Sequence, residues 1–125
     1  MGRIRQMIKV DGRECWTLFD TGARNTYVVH SVAAILVTSK MSHPIRTALG
    51  GGVKETNRRA ILEAEVEGHF ISTHAMVIDR IGDDENGKSI EVFFGALAMQ
   101  QWGIRPIPDE EKLDFSHYPE EFVEF

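Results

Sequence analysis

Between residues 60 and 78 the sequence alternates with a period of two: Leu62, Ala64 and Val66 are apolar, and Glu63, Glu65 and Glu67 lie between them. That spacing puts the apolar side chains on one face of an extended strand and the carboxylates on the other, whereas like faces of a helix recur every 3.6 residues. Gly68 interrupts the pattern and residues 70–78 resume extended character, so the stretch reads as a hairpin with one buried face. Such a hairpin needs further strands to cover it, and the rest of the chain supplies them. Residues 4–10 place apolar side chains at Ile4, Ile8 and Val10, Asp11-Gly12 signals a tight turn, and residues 14–19 return as a buried strand. Residues 26–30 form a β-branched and aromatic run, and residues 43–49 read as extended because Pro44 disfavours helix at His43. Residues 90–94 make a short buried strand that stops at Gly95. Helix is confined to residues 31–37, with Ser31 as cap, and residues 96–102, with Gly103 at the stop. Asn86-Gly87 turns the polar loop over residues 79–89. The expectation is an all-β, barrel-like domain over residues 1–108. An acidic tail at 109–125 either docks through Leu113, Phe115, Phe122 and Phe125 or frays.

Charge and composition narrow the partners. A formal net charge of −5 disfavours nucleic acid, which needs a basic footprint; Arg58-Arg59 is explained by a solvated strand end. No apolar run reaches membrane-spanning length, and residues 1–5 lack the apolar stretch of a signal peptide. Cys15 is the one cysteine, so no intrachain disulfide can form, and a cytoplasmic location is expected. Cys15 sits mid-strand among apolar residues and reads as a buried, inert thiol rather than a nucleophile. His30, His43, His69, His74 and His117 are scattered without metal-ligand spacing. The glycines at 50–52 lack the following Lys-Ser or Lys-Thr of a phosphate cradle. No metal or cofactor is expected.

Asp20 is the residue that carries chemistry. It follows Trp16, Leu18 and Phe19 directly, and an ionised carboxylate is costly to bury without partners. Thr21 offers a hydroxyl beside it, and Gly22 lets backbone or substrate approach closely. Asp-Thr-Gly alone is an ordinary turn between strands. The flanks say more. Leu18-Phe19-Asp20-Thr21-Gly22-Ala23 followed by an apolar strand resembles the active-site segment of retroviral-type (retropepsin-like) aspartic peptidases. Val92-Phe93-Phe94-Gly95-Ala96-Leu97 resembles the strand and helix that back that segment, and Ala48-Leu49-Gly50-Gly51-Gly52-Val53 lies in flap position. The resemblance covers residues 8–104 and is closest to cellular, single-lobed members.

The resemblance implies a closed acid-protease barrel with one or two short helices, a flap hairpin and a symmetric dimer. Hydrolysis by this route needs two carboxylates sharing a proton around one water, because like charges that close cannot both ionise. With one Asp-Thr-Gly per chain, Asp20 must meet its copy across a two-fold axis. Thr21 would then brace the two loops, and Gly22 would accept substrate backbone bonds. Ala23, Arg24, Leu49, Gly50, Gly51 and Gly52 would line the site of an extended polypeptide substrate. Ala23, where two-lobed relatives often carry Ser, withholds a hydroxyl from the carboxylates, which implies a mildly acidic optimum. The family's ion pair between an acid after Gly-Ala and an Arg after the late Gly is missing, since Arg24 and Ala96 hold those places. The alternative is a catalytically silent module that dimerises or grips a peptide without cutting it.

Overall fold

A computed structural model describes residues 3–49 and 52–124. A seven-stranded sheet dominates, built from β1 (Arg3–Val10), β2 (Arg13–Asp20), β3 (Tyr27–Val29), β4 (Val37–Leu49), β5 (Gly52–Val66), β6 (His69–Ile78) and a late strand, β9 (Val92–Phe94). Their order is β1-β2-β9-β3-β6-β5-β4, and β1 also pairs with β5 at Lys9 and Glu65, curling the sheet into a barrel. The first hairpin turns at Asp11 and Gly12, both with positive φ (50° and 79°), a conformation whose twist matches the flanking strands. The alternating segment forms β5 and β6 as its pattern requires: Leu62, Ala64 and Val66 are buried and their glutamate neighbours are exposed. Two short strands, β7 (Gly82–Asp83) and β8 (Ser89–Ile90), pair across the 79–89 loop, and Gly87 takes a positive φ of 81° there.

Three elements differ from the sequence expectation. Helix α1 spans only His30–Ala33 and its cap is Val29, whose amide is held by the Glu91 carbonyl; Ser31 lies inside the turn and caps nothing. Strand β4 begins at Val37 rather than at residue 43, because residues 37–40 pair with residues 58–61 before the register shifts between Lys40 and Ile45. The strand expected over residues 90–94 is split at Glu91. Its carboxylate pairs with Arg13 and accepts the Trp16 amide, and its backbone bridges Trp16 and Val29.

Two apolar clusters fill the molecule. The larger holds Phe19, Phe94, Val28, Leu62, Ile71 and Met99, with the Phe19 and Phe94 rings 4.9 Å apart. Helix α2 (Ala96–Trp102) lies over it and ends at Gly103, left-handed with φ 65°. A side chain at Gly103 would stand 2.0 Å from the His117 carbonyl oxygen, because the tail crosses the helix end at that point. Strands β10 (Arg105–Ile107) and β11 (Lys112–Asp114) pair around a 3-10 turn at Pro108–Glu110, and Leu113 reaches the main core. Phe115 stacks on His69 at 4.2 Å, and the Tyr118 hydroxyl donates to the Phe70 carbonyl. The smaller cluster joins Leu18, Tyr27, Met76, Ile78, Ile81, Ile90 and Phe93 on the other side of β2 and β9.

Candidate active site

Strand β2 ends on Asp20, whose side chain is only 9% exposed. A carboxylate so placed must find donors. The Gly22 amide donates to Oδ1 at 2.8 Å, and the Arg3 Nε donates to Oδ2 at 3.0 Å. Gly22 has no room for a side chain to spare: a Cβ there would stand 3.0 Å from Asp20 Oδ1.

The loop after Asp20 is fixed from beneath by the junction of β9 and α2. The Ala96 amide donates to the Ala23 carbonyl at 2.7 Å, and the Leu97 amide to the Arg24 carbonyl at 3.1 Å. The Gly95 amide donates to Thr26 Oγ1 at 3.1 Å, while the Thr26 carbonyl accepts from Met76. So close is this approach that a Cβ at Gly95 would lie 2.1 Å from the Asn25 carbonyl oxygen. Backbone bonds therefore hold the loop where an ion pair between positions 24 and 96 was missing. Arg24 is exposed, and no carboxylate among the described residues pairs with it.

The smaller apolar cluster brings distant site residues together. Ala23, from the loop, and Leu49, near the tip of the β4–β5 hairpin, both pack against it. The hairpin register pairs Thr47 with Lys54 and Ile45 with Thr56, and Thr56 Oγ1 donates to the Val77 carbonyl at 2.5 Å. Thr47 shares a 2.6 Å hydrogen bond with the Tyr27 hydroxyl, and Tyr27 stands edge-on to Phe93 at 5.9 Å. Gly52 is exposed at the start of β5; Gly50 and Gly51, expected to line the site, lie outside the described residues. Thr21 is exposed on a mainly apolar groove of ≈ 370 Å³ whose walls include Met99, Ile104 and Pro106.

Other polar groups play different parts. Cys15 is fully buried, and burial, with Glu91 adding to it, pushes its thiol up to about 11. His30 pairs with Asp79 at the surface. Burial, with Arg59 reinforcing it, lowers the His74 imidazole below its ordinary value. Among the described residues no group of three or more His, Cys, Asp or Glu side chains could hold a metal ion, and no helix is long and apolar enough to cross a membrane. Sequence reasoning passed over Arg3, Thr26, Tyr27 and Thr47. For Arg3 a signal existed: counting outward from the two-residue turn at Asp11-Gly12 places it opposite Asp20.

A barrel with an Asp-Thr-Gly loop braced by a late strand-glycine-helix unit defines the retropepsin-like acid-protease fold, and solved structures bear this out. The retroviral protease-like domain of Ddi1 from Leishmania major superposes with a TM-score of 0.65 at 13% identity, covering 93% of this chain and 90% of that one. EIAV protease complexed with the inhibitor HBY-793 gives 0.60 at 18% identity, over 84% and 92%. The foamy viral protease-reverse transcriptase, solved with an RNA/DNA hybrid, gives 0.59 at 13% identity, over 86% of this chain and 13% of the viral one. No family profile matches the sequence, and no curated protein matches it. The chain has the retropepsin-like fold.

Proposed function

We propose that the chain is one subunit of a homodimeric aspartic endopeptidase. The observation that carries this reading is the setting of Asp20. Its carboxylate sits at the end of a buried strand, held by the Gly22 amide on a loop fixed from beneath. Such rigid placement suits a carboxylate that must orient one water. One chain supplies one such group, so a second copy supplies the other. The two would share a proton: the ionised Asp20 acts as general base on the water, and the protonated one donates to the scissile carbonyl. The β4–β5 hairpin would serve as a flap, and an extended peptide would lie beneath it, its side chains against Leu18, Ala23, Leu49 and Phe93.

One observation favours a second reading, a silent peptide-binding module. Arg3 Nε occupies Asp20 Oδ2 at 3.0 Å, so Arg3 must withdraw before a second Asp20 can approach that oxygen. The Arg3 side chain is 52% exposed and has room to do so.

Incubation with a peptide library, with and without a pepstatin-type inhibitor, tests the peptidase reading. The expected result is inhibitor-sensitive cleavage that Asp20→Asn abolishes while sedimentation still reports a dimer. Cleavage undiminished in Asp20→Asn removes the assignment, and peptide binding without turnover establishes the silent module instead.

A further inference from the structure

We propose that Tyr27 is a positioning residue that latches the flap hairpin onto the barrel through Thr47. The inference rests on reading β4–β5 as a substrate-covering flap, although the latch itself is a property of the single chain.

The hairpin is attached in two ways along its length. Residues 37–40 of β4 pair with residues 58–61 as part of the barrel wall. Among the described residues, 45–49 pair only with 52–56, and β4 is the last strand of the sheet order, with no strand beside its other edge. Between the two runs the register shifts, and this irregular stretch, which includes Pro44, interrupts the ladder between the barrel wall and the outer hairpin. A two-stranded hairpin is marginally stable by itself in water and depends on what holds it down.

Two hydroxyls hold it. Thr56 fixes the root of the outer hairpin to the Val77 carbonyl. Beyond that point toward the tip, the Tyr27–Thr47 bond at 2.6 Å is the polar attachment, supplemented by Leu49 against the smaller apolar cluster. Tyr27 is built for the task at its own end. It is 4% exposed, its ring is set edge-on to Phe93, and its backbone lies between β9 and β6. The phenol therefore delivers its oxygen to Thr47 from a rigid base, seven positions after Asp20. The bond is part-buried at the border of the smaller cluster, and the net contribution of such a bond is small enough to break and re-form. Those are the properties a latch requires.

Hydrogen exchange followed by mass spectrometry reads the latch without any need for cleavage. Tyr27→Phe and Thr47→Val should each speed exchange of residues 45–49 and 52–56 by about two- to tenfold, the loss of one net hydrogen bond. The double variant should go no faster than either single one, and Thr47→Ser, which keeps the hydroxyl, should exchange like the parent. Exchange in β1, β2 and β9 should not change. Unchanged flap exchange in either single variant overturns the latch. So do additive effects in the double variant, Thr47→Ser as fast as Thr47→Val, or acceleration spread evenly over the barrel. In cleavage assays Tyr27→Phe should raise KM and leave kcat alone; lowered kcat with unchanged flap exchange overturns it. If the parent chain cleaves nothing, the peptidase reading fails while the exchange comparison still decides the latch.

Discussion

Phe93 and Phe94 are neighbours on one three-residue strand, yet they serve opposite halves of the molecule. Phe94 packs on Phe19 in a cluster sealed by α2 and the barrel wall. Phe93 faces the smaller cluster, which is bordered by the Asp20 loop and the outer hairpin and meets the hydroxyl pair of Tyr27 and Thr47. One side of β2 and β9 thus faces the main core, and the other faces a smaller buried cluster that borders the Asp20 loop and the outer hairpin. Alternation along two strands is enough to separate the two clusters.

The division predicts a graded set of responses. Phe94→Ala should cost about 3–5 kcal/mol in urea unfolding, the usual range for a fully buried ring. Phe93→Ala should cost less, because its cluster is the smaller of the two, but should impair peptide binding more if that cluster supports the bound peptide. Equal costs would erase the distinction between the two faces. Alkaline pH probes the closed side through Cys15. Its folded value of about 11 lies above the ordinary 9.0, so the stability gained by keeping the thiol neutral is whole below pH 9 and is lost as pH rises toward 11. Relative to Cys15→Ala, the parent should therefore lose on the order of 2–3 kcal/mol between pH 8 and 11, read from urea midpoints. A parallel decline in both proteins would show that the thiol is not sequestered. Gly95→Ala tests the seam between the two sides: its methyl group must displace Asn25, for about 1–3 kcal/mol of stability and a loss of cleavage out of proportion to that. Smallest in stability is Asp20→Asn, under about 1 kcal/mol because its partner Arg3 is half exposed. A larger loss would mean that Asp20 is chiefly a structural residue.

Most of this arrangement could be read from the sequence, for identifiable reasons. The strands around residues 62, 64 and 66 and the turns at Gly12, Gly68, Gly87 and Gly103 follow from local patterning and local backbone conformation. Asp20 stood out in the sequence because its flanks, Leu18-Phe19 before it and Ala23 with an apolar strand after it, resemble the active-site segment of retropepsin-like peptidases. The contacts that complete the site were harder to see, since they join residues far apart in sequence. Thr26 meets Gly95 and Tyr27 meets Thr47 only after the sheet order has placed β9 beside β3 and the hairpin over both. Arg3 is the intermediate case, local enough to be found by counting register through the Asp11-Gly12 turn. Helix α1 was misplaced because the apolar spacing at Val32, Ile35 and Leu36 resembles a helical face. One turn forms, and from Val37 onward β4 pairing with β5 takes over.

The place of β9 in the sheet has a consequence for how the protein comes into being. It lies between β2 and β3, which leave the ribosome long before it does. Until residues 95–97 have emerged, the Asp20 loop lacks the amides that fasten Ala23, Arg24 and Thr26. The nascent chain must therefore carry its central gap until β9 has been made, with two unpaired strand edges awaiting the insert. A chain stopped short of Gly95 would hold the whole Asp-Thr-Gly segment and still lack the backbone donors that fix the loop after Asp20.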